Sequence, residues 1–313
     1  MQNPLILSFR NLQRKETKMF DEMKRFLQKA AGLILQPALR RMERPLSRQN
    51  QILLSLKYRE FAEIHKKPLE FESIYFDEYS ETGEDGILLY IFSLIGATNR
   101  KFADIGCGGI NGNNTTNLTL NHGFSGLMVD GDKNSILSAR RFFEYQNASS
   151  RLTLKSAFVS AENINAMLSQ HGLQGSIDLL SIDIDGIDYW LWKAIDVIDP
   201  RVVLVEYQDL LGPDLAWTIP YKPDFDASSY PANKENKNYC GASLRAFTKL
   251  ANSRGYRLVG CNRGGWNAFF VKNGLADDVL PEVSVESCFK SDWNRYGMEH
   301  RFPLVKDMEW VEV

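Results

Sequence analysis

The segment LLSIDIDGIDYWLW, Leu179 to Trp192, sets three carboxylates into an otherwise apolar run: Asp183, Asp185 and Asp188. Stripping an ionised carboxylate of water is costly, so each needs a partner, a proton or solvent. Such residues at this spacing can grip a metal, act as acid or base, shape a helix start, or face water. The surrounding apolar residues place them. Leu179–Asp183 reads as a strand, and Asp185 and Gly186 as a turn. Ile187, Trp190, Leu191, Ala194 and Ile195 then recur at helical spacing, predicting a helix over about Asp188–Ile198 with one buried face. Asp188 opens that helix, where its simplest task is capping amides, worth on the order of 1 kcal/mol.

Asp183 closes its strand at the edge where open α/β sheets bind ligands, and Asp185 lies beside it. Either is a candidate base, because group transfer to an alcohol leaves a proton to be taken up. Glu206 ends the strand-like run VVLVEY, Val202 to Tyr207, and should open on the same crevice. Asp183 and Glu206 are thus also placed to share Mg²⁺, which favours oxygen ligands. His65, His122, His171 and His300 show no ligand spacing.

A second constellation is FADIGCGGINGNNT, Phe102 to Thr115. Gly106, Gly108 and Gly112 form a loose GxGxxxG turn between a strand and a helix, allowing a ligand close to the backbone. The dinucleotide form GxGxxG is not met, because Asn111 stands at its last position. Asp104 just before the turn suits an ammonium group and would repel a pyrophosphate. Asp130 in LMVDGD ends the next strand and can accept hydrogen bonds from ribose hydroxyls. Together they suit S-adenosylmethionine, which carries an amine, a sulfonium and a ribose but no phosphate. The alternative is that both acids only cap their turns.

The elements that must position these groups alternate. Strands are expected at Lys101–Ile105, Gly126–Asp130, Leu152–Ser156, Leu179–Asp183 and Val202–Tyr207. Helices fall between them near Asn114–Asn121, Lys133–Tyr145, Ala161–His171 and Asp188–Ile198. This is a parallel βαβ pattern with right-handed crossovers. A long polar and aromatic segment, Gln208 to Cys240, precedes a helix ending at Gly255, where glycine suits a C-cap. Tyr256–Cys261 and Trp266–Val271 flank Asn262-Arg263-Gly264-Gly265, which predicts an antiparallel hairpin. Trp217, Tyr221, Tyr230 and Tyr239 on the long segment either form a lid with aromatic faces for sugar rings or pack that segment onto the sheet.

Four stretches resemble the FkbM-type methyltransferase-like family, within the class I S-adenosylmethionine-dependent methyltransferases. YSETGEDGIL, Tyr79 to Leu88, is similar to the family's Ser-Gln-x-Gly-Glu-Asp motif. FADIGCGGINGNNT resembles its cofactor loop, with Asn114-Thr115 in the Asn-Thr place. HGFSGLMVDGD resembles its Gly-Trp-x-Gly strand, with Phe124 where Trp is common. SIDIDGID resembles its Asp-hydrophobic-Glu-Gly-x-Glu motif, with Ser181 where Lys is common. The resemblance spans roughly Tyr79 to Val271. It implies a Rossmann-like class I methyltransferase fold: a mostly parallel seven-stranded sheet with a C-terminal antiparallel hairpin. It also implies a cofactor pocket using Glu84, Asp104, Gly106, Gly108, Asn114, Asp130, Ala157, Phe158 and Asp183. Ala157 and Phe158 would lie against adenine, although Phe158 reads equally as core. Its members act on hydroxyls of saccharides and secondary metabolites, so an O-methyltransferase is the first functional reading. The alternatives are a non-catalytic binding or assembly module on this scaffold, and a metal-dependent glycosyltransferase using Asp183-x-Asp185.

The whole chain sets outer bounds. A net charge of −2 over 313 residues argues against a general nucleic-acid binder. Residues 1–50 hold 11 Lys+Arg against 4 Asp+Glu, leaving −9 for the remainder. That basic head suits weak contact with a membrane surface or an acidic partner, or simply a solvated helix. Met19, Phe20, Met23, Phe26, Leu27 and Ala30 predict one helix there, and a second is expected over about Arg48 to Ile64. The three expected parts are a helical extension over 1–78, an α/β domain over 79–275, and a tail over 276–313 that docks on the domain or on a second copy. No long apolar run predicts a membrane span, no signal peptide is expected, and Cys107, Cys240, Cys261 and Cys288 form no CxxC pair. The expectation is a cytoplasmic, reducing setting.

Overall fold

The computed structural model describes residues 48–110 and 112–313. The chain divides into units 1–54 and 55–313. Of the first, residues 48–54 are described, and they are helical. The helix expected around Met19–Ala30 lies outside the described residues.

In the larger unit the elements follow the expected alternation. Its first helical residues, 55–65, belong to α1, which begins at residue 48 in the first unit. Then come α2 (Glu84–Ile95), β1 (Lys101–Ile105), α3 (Thr116–His122), β2 (Ser125–Asp130), α4 (Lys133–Tyr145) and β3 (Leu152–Ser156). These are followed by α5 (Ile164–Gln170), β4 (Gly175–Ile182), α6 (Asp188–Ala194), β5 (Ile198–Glu206) and β6 (Trp217–Thr218). The chain finishes with α7 (Leu244–Ser253), β7 (Tyr256–Cys261), β8 (Asn267–Lys272), α8 (Asp292–Tyr296) and β9 (Val311–Glu312).

Seven strands form one sheet in the order β3-β2-β1-β4-β5-β8-β7. The pairs among β1 to β5 are parallel, whereas β8 is antiparallel to both β5 and β7. This is the mostly parallel seven-stranded sheet with a reversed last pair that the sequence predicts. Strand order reverses between β1 and β4, which opens a crevice at their carboxyl ends.

Alternation along each strand splits the core between the two faces. Phe102, Leu179, Val202 and Leu204 pack with α2 and α4 residues such as Leu88 and Phe143. Ala103, Ile105, Leu180, Val203 and Val205 pack against Leu168, Trp192 and Phe247 of α5, α6 and α7. Each large apolar side chain buried this way contributes roughly 1.5–3 kcal/mol.

Helix α6 is shorter than its periodicity predicts, ending at Ala194 rather than Ile198. Ile195 is extended because β5 begins at Ile198, pairing with Gly175 at the early start of β4. Strand pairing there outweighs helical preference. The two-residue strands β6 and β9 pair antiparallel, joining the long segment to residues 311–312. Among the described residues no helix is long and apolar enough to cross a membrane. All four cysteines are free.

Candidate active site

The glycine turn and the carboxylate turn meet at the carboxyl ends of β1 and β4. The Asp183 amide donates to the Ile105 carbonyl at 2.9 Å. Gly106 follows with φ +84°, and a Cβ there would lie 1.7 Å from the Asp183 carbonyl oxygen. Only glycine tolerates both the conformation and the approach. Gly108, at φ +60°, faces open space and donates its amide to Asp130 Oδ2 at 2.7 Å. The other Asp130 oxygen accepts the Asp132 amide at 2.7 Å, so Asp130 ties the first turn to the second while staying partly exposed.

Asp104 points inward and is 2% exposed. Its Oδ2 accepts from Asn113 Nδ2 at 3.0 Å and Thr115 Oγ1 at 2.7 Å, and Ser181 adds a further hydrogen bond. Burial raises the Asp104 pKa, against the pull of these donors. Its main visible work is to hold the turn's shape. Asn114 is also buried, its Nδ2 lying 3.4 Å from Ser181 Oγ.

Glu84 heads α2 and is buried too. Its Oε1 accepts from Asn262 Nδ2 at 2.7 Å and Asn267 Nδ2 at 2.9 Å, both on the β7–β8 hairpin. Its neighbour Asp85 gathers the amides of Glu78, Tyr79 and Ser80 on one oxygen. Tyr79 in turn accepts the Gly112 amide at 2.8 Å. The 78–85 segment therefore arches against the glycine turn.

Beyond β3, the Ala157 amide donates to the Asp130 carbonyl at 3.0 Å. Phe158 is 84% exposed, so its reading as core is corrected. Its ring lies against Gly131, where a Cβ would come within 2.9 Å. No apolar partner layer covers it because β3 is the sheet's edge strand.

The acids after β4 and β5 gather more tightly. Oxygens of Asp183, Asp185 and Glu206 all lie within 4.8 Å of one another. Asp183 and Glu206 are hydrogen-bonded. Burial raises the pKa of both, with the neighbouring carboxylate charges adding to it: Asp183 to about 8, Glu206 well above its ordinary range. Two partly buried acids in contact hold one proton between them near neutrality. Asp185 adopts φ +54°, a left-handed conformation uncommon outside glycine. Its Oδ2 pairs with Lys237 Nζ.

Asp188 differs from this group. Its oxygens accept the Ile184 amide at 2.8 Å and the Gly186 amide at 2.9 Å. It thus braces the turn before α6 rather than that helix's first amides, the target expected from sequence.

A cavity of about 370 Å³ adjoins the cluster. Asp185, Glu206, Glu81, Lys237, Trp266 and Trp293 are among its lining residues, and Asp104 and Asp130 are not. Arg301 also lines it, pairing with Asp209 at 3.0 Å and stacking 4.6 Å from the Trp293 ring. The aromatics singled out on the long segment do another job. Trp217 stacks on Trp310, Tyr230 packs against Phe225 and Tyr239, and Tyr239 donates to the Glu309 carbonyl at 2.5 Å. Tyr221 bonds Glu162. They fasten the segment to the body, so the lid reading is corrected for these four. The aromatic walls are Trp266 and Trp293 instead. The tail's aromatic richness is the one sequence signal for Trp293, and nothing in the sequence signals Lys237.

No family model matches the sequence, and comparison with curated proteins finds no match. Solved structures do align. An O-methyltransferase from Bacillus cereus in complex with SAH is 14% identical, covering 71% of this chain and 91% of that one at a TM-score of 0.39. An S-adenosylmethionine-dependent methyltransferase from Clostridium acetobutylicum is 13% identical, covering 68% and 96% at 0.38. A SAM-dependent methyltransferase from Thiobacillus denitrificans in complex with S-adenosyl-L-homocysteine is 14% identical, covering 63% and 69% at 0.34. Likenesses of this size carry no conclusion about the reaction.

Proposed function

We propose that the chain is an S-adenosylmethionine-dependent O-methyltransferase acting on a hydroxyl of a saccharide or a secondary metabolite. One observation carries the reading. The proton-sharing pair Asp183–Glu206 sits at the strand ends, with Asp183 against the glycine turn and Glu206 on the wall of a cavity that Trp266 and Trp293 also line. The motif resemblance to the FkbM-type group points the same way.

The residues fit the cofactor in three respects. Gly108 leaves open space for close backbone approach, Asp130 offers a partly exposed carboxylate for ribose hydroxyls, and Phe158 presents a bare ring to a flat base. When bound, the cofactor supplies an electrophilic methyl group on sulfur. The protein's part is to orient and to move one proton. Trp266 and Trp293 flank the acceptor, and Glu206 or Asp183 receives the hydroxyl proton as the oxygen gains its methyl group. The pair is suited to this because it already holds one proton and has room for a second.

Titration calorimetry with S-adenosylhomocysteine tests the cofactor half. Wild type should bind, and Asp130→Ala should lose about tenfold or more in affinity, because two ribose hydrogen bonds go with it. Folded protein that ignores S-adenosylhomocysteine yet binds a UDP-sugar with manganese would replace this reading with the glycosyltransferase one.

A further inference from the structure

Three carboxylates with oxygens within 4.8 Å of one another form a set that could hold a divalent cation. Here a cation of the chain's own stands at the edge of the set: the Lys237 ammonium pairs with Asp185, the one acid of the three it contacts directly. Burial pulls the Lys237 pKa down, but the charges of Asp185, Glu206 and Asp183 more than reverse this and leave it above its ordinary value.

Lys237 is not a surface lysine that happens to fold inward. Its side chain remains 59% exposed, whereas its backbone is held from several directions. Gln208 Nε2 donates to its carbonyl at 2.9 Å. The next residue, Asn238, is 2% exposed. Asn238 takes Arg301 Nε on its Oδ1 at 2.9 Å and gives its Nδ2 to the Ala232 carbonyl at 2.7 Å. Arg301 is in turn fixed by Asp209. On the other side, Asp185 is set at φ +54° in a turn braced by Asp188. The backbone beneath each partner of the ion pair is therefore held by polar networks.

We propose that Lys237 is the resident cation of this cluster: it fills the place a divalent metal would take, so the site works without one. As a positioning residue it neutralises Asp185 and leaves Asp183 and Glu206 to share their proton as the base. That last consequence rests on the methyltransferase reading; the occupancy itself does not.

The full chain is titrated with Mn²⁺, read by electron paramagnetic resonance. Wild type and Lys237→Arg should bind Mn²⁺ weakly or not at all. Lys237→Met should bind it about tenfold tighter or more, as three carboxylates lose their internal counter-ion. Adding Asp185→Asn to that variant should abolish the gain. Tight Mn²⁺ binding by wild type overturns the proposal, and so does a Lys237→Met variant that binds no better than wild type. The mostly exposed side chain keeps folding out of the question, and a melting curve confirms it. S-adenosylhomocysteine affinity, measured on the same variants, should not move. Its absence in wild type would sink the methyltransferase reading and leave the manganese result to decide the role of Lys237.

Discussion

Strands β4 and β5 carry a charged pair at each end, and the two ends are built on opposite rules. At the amino edge, Asp178 of β4 meets Arg201 of β5 at 2.9 Å. Asp178 also accepts the amides of Thr98, Asn99 and Arg100, and Arg201 gives its other donors to the carbonyls of Ile95 and Gly96. Burial pushes the Asp178 pKa up, but the Thr98 amide and the Arg201 guanidinium pull harder, and it ends below its ordinary value. At the carboxyl edge the same strands lead into Asp183 and Glu206, an acid facing an acid, with no arginine between them and both pushed toward the protonated form. One end spends its charges on holding the turn before β1. The other keeps a carboxyl pair in a state that a better-satisfied partner would abolish, as expected where strain serves chemistry.

The contrast can be broken in order of expected effect. Arg201→Met leaves Asp178 buried and unpaired and should cost about 3–5 kcal/mol in denaturant unfolding, with S-adenosylhomocysteine affinity unchanged in the folded fraction. Glu206→Gln should do the reverse. Methyl transfer should fall about 10²- to 10⁴-fold, while stability holds, because the neutral amide still donates to Asp183 where the shared proton was. An equal loss of stability at both ends would erase the distinction.

The pH dependence sharpens it. Asp183 titrates at about 8 in the fold against an ordinary 3.8, so the native state holds its proton more tightly than the unfolded chain. That contribution to stability is complete below the ordinary carboxylate range and drains away as pH rises toward about 8. Activity should climb over the same window as the base is freed, and Glu206→Gln should flatten the stability slope. The smallest effect belongs to an ordinary cap. Asp132 accepts the Asn134 and Ser135 amides at 3.0 Å each at the start of α4, and Asp132→Ala should lower the melting temperature slightly, with no change in kinetics.

How much of this was legible in the sequence follows the range of the forces involved. The bounds of β1, β3, β7 and α4 could be read off because alternation, helical spacing and turn residues are local signals. Helix α2 announces itself poorly, since Ile87, Leu88, Leu89, Tyr90 and Ile91 are all buried and no polar face marks the period. Asp183, Asp185 and Glu206 could be brought together from strand order alone. Asn113 and Thr115 holding Asp104, and Lys237 meeting Asp185 from a distant polar segment, depend on side-chain geometry that no spacing encodes. Trp293 and Arg301 reach the cavity from the tail for the same reason.

The β7–β8 turn and helix α8 are bolted together: Ser291 Oγ donates to the Gly264 carbonyl at 2.9 Å and Asn294 Nδ2 to the Gly265 carbonyl at 2.7 Å. A side chain on Gly265 would collide with Asn294, its Cβ lying 2.3 Å from the amide oxygen. Trp266 and Trp293 stand on these two elements, so the gap between the two indoles cannot widen by moving either element alone. Widening the cavity between them therefore takes a joint movement of the hairpin turn and α8, two elements far apart in the chain.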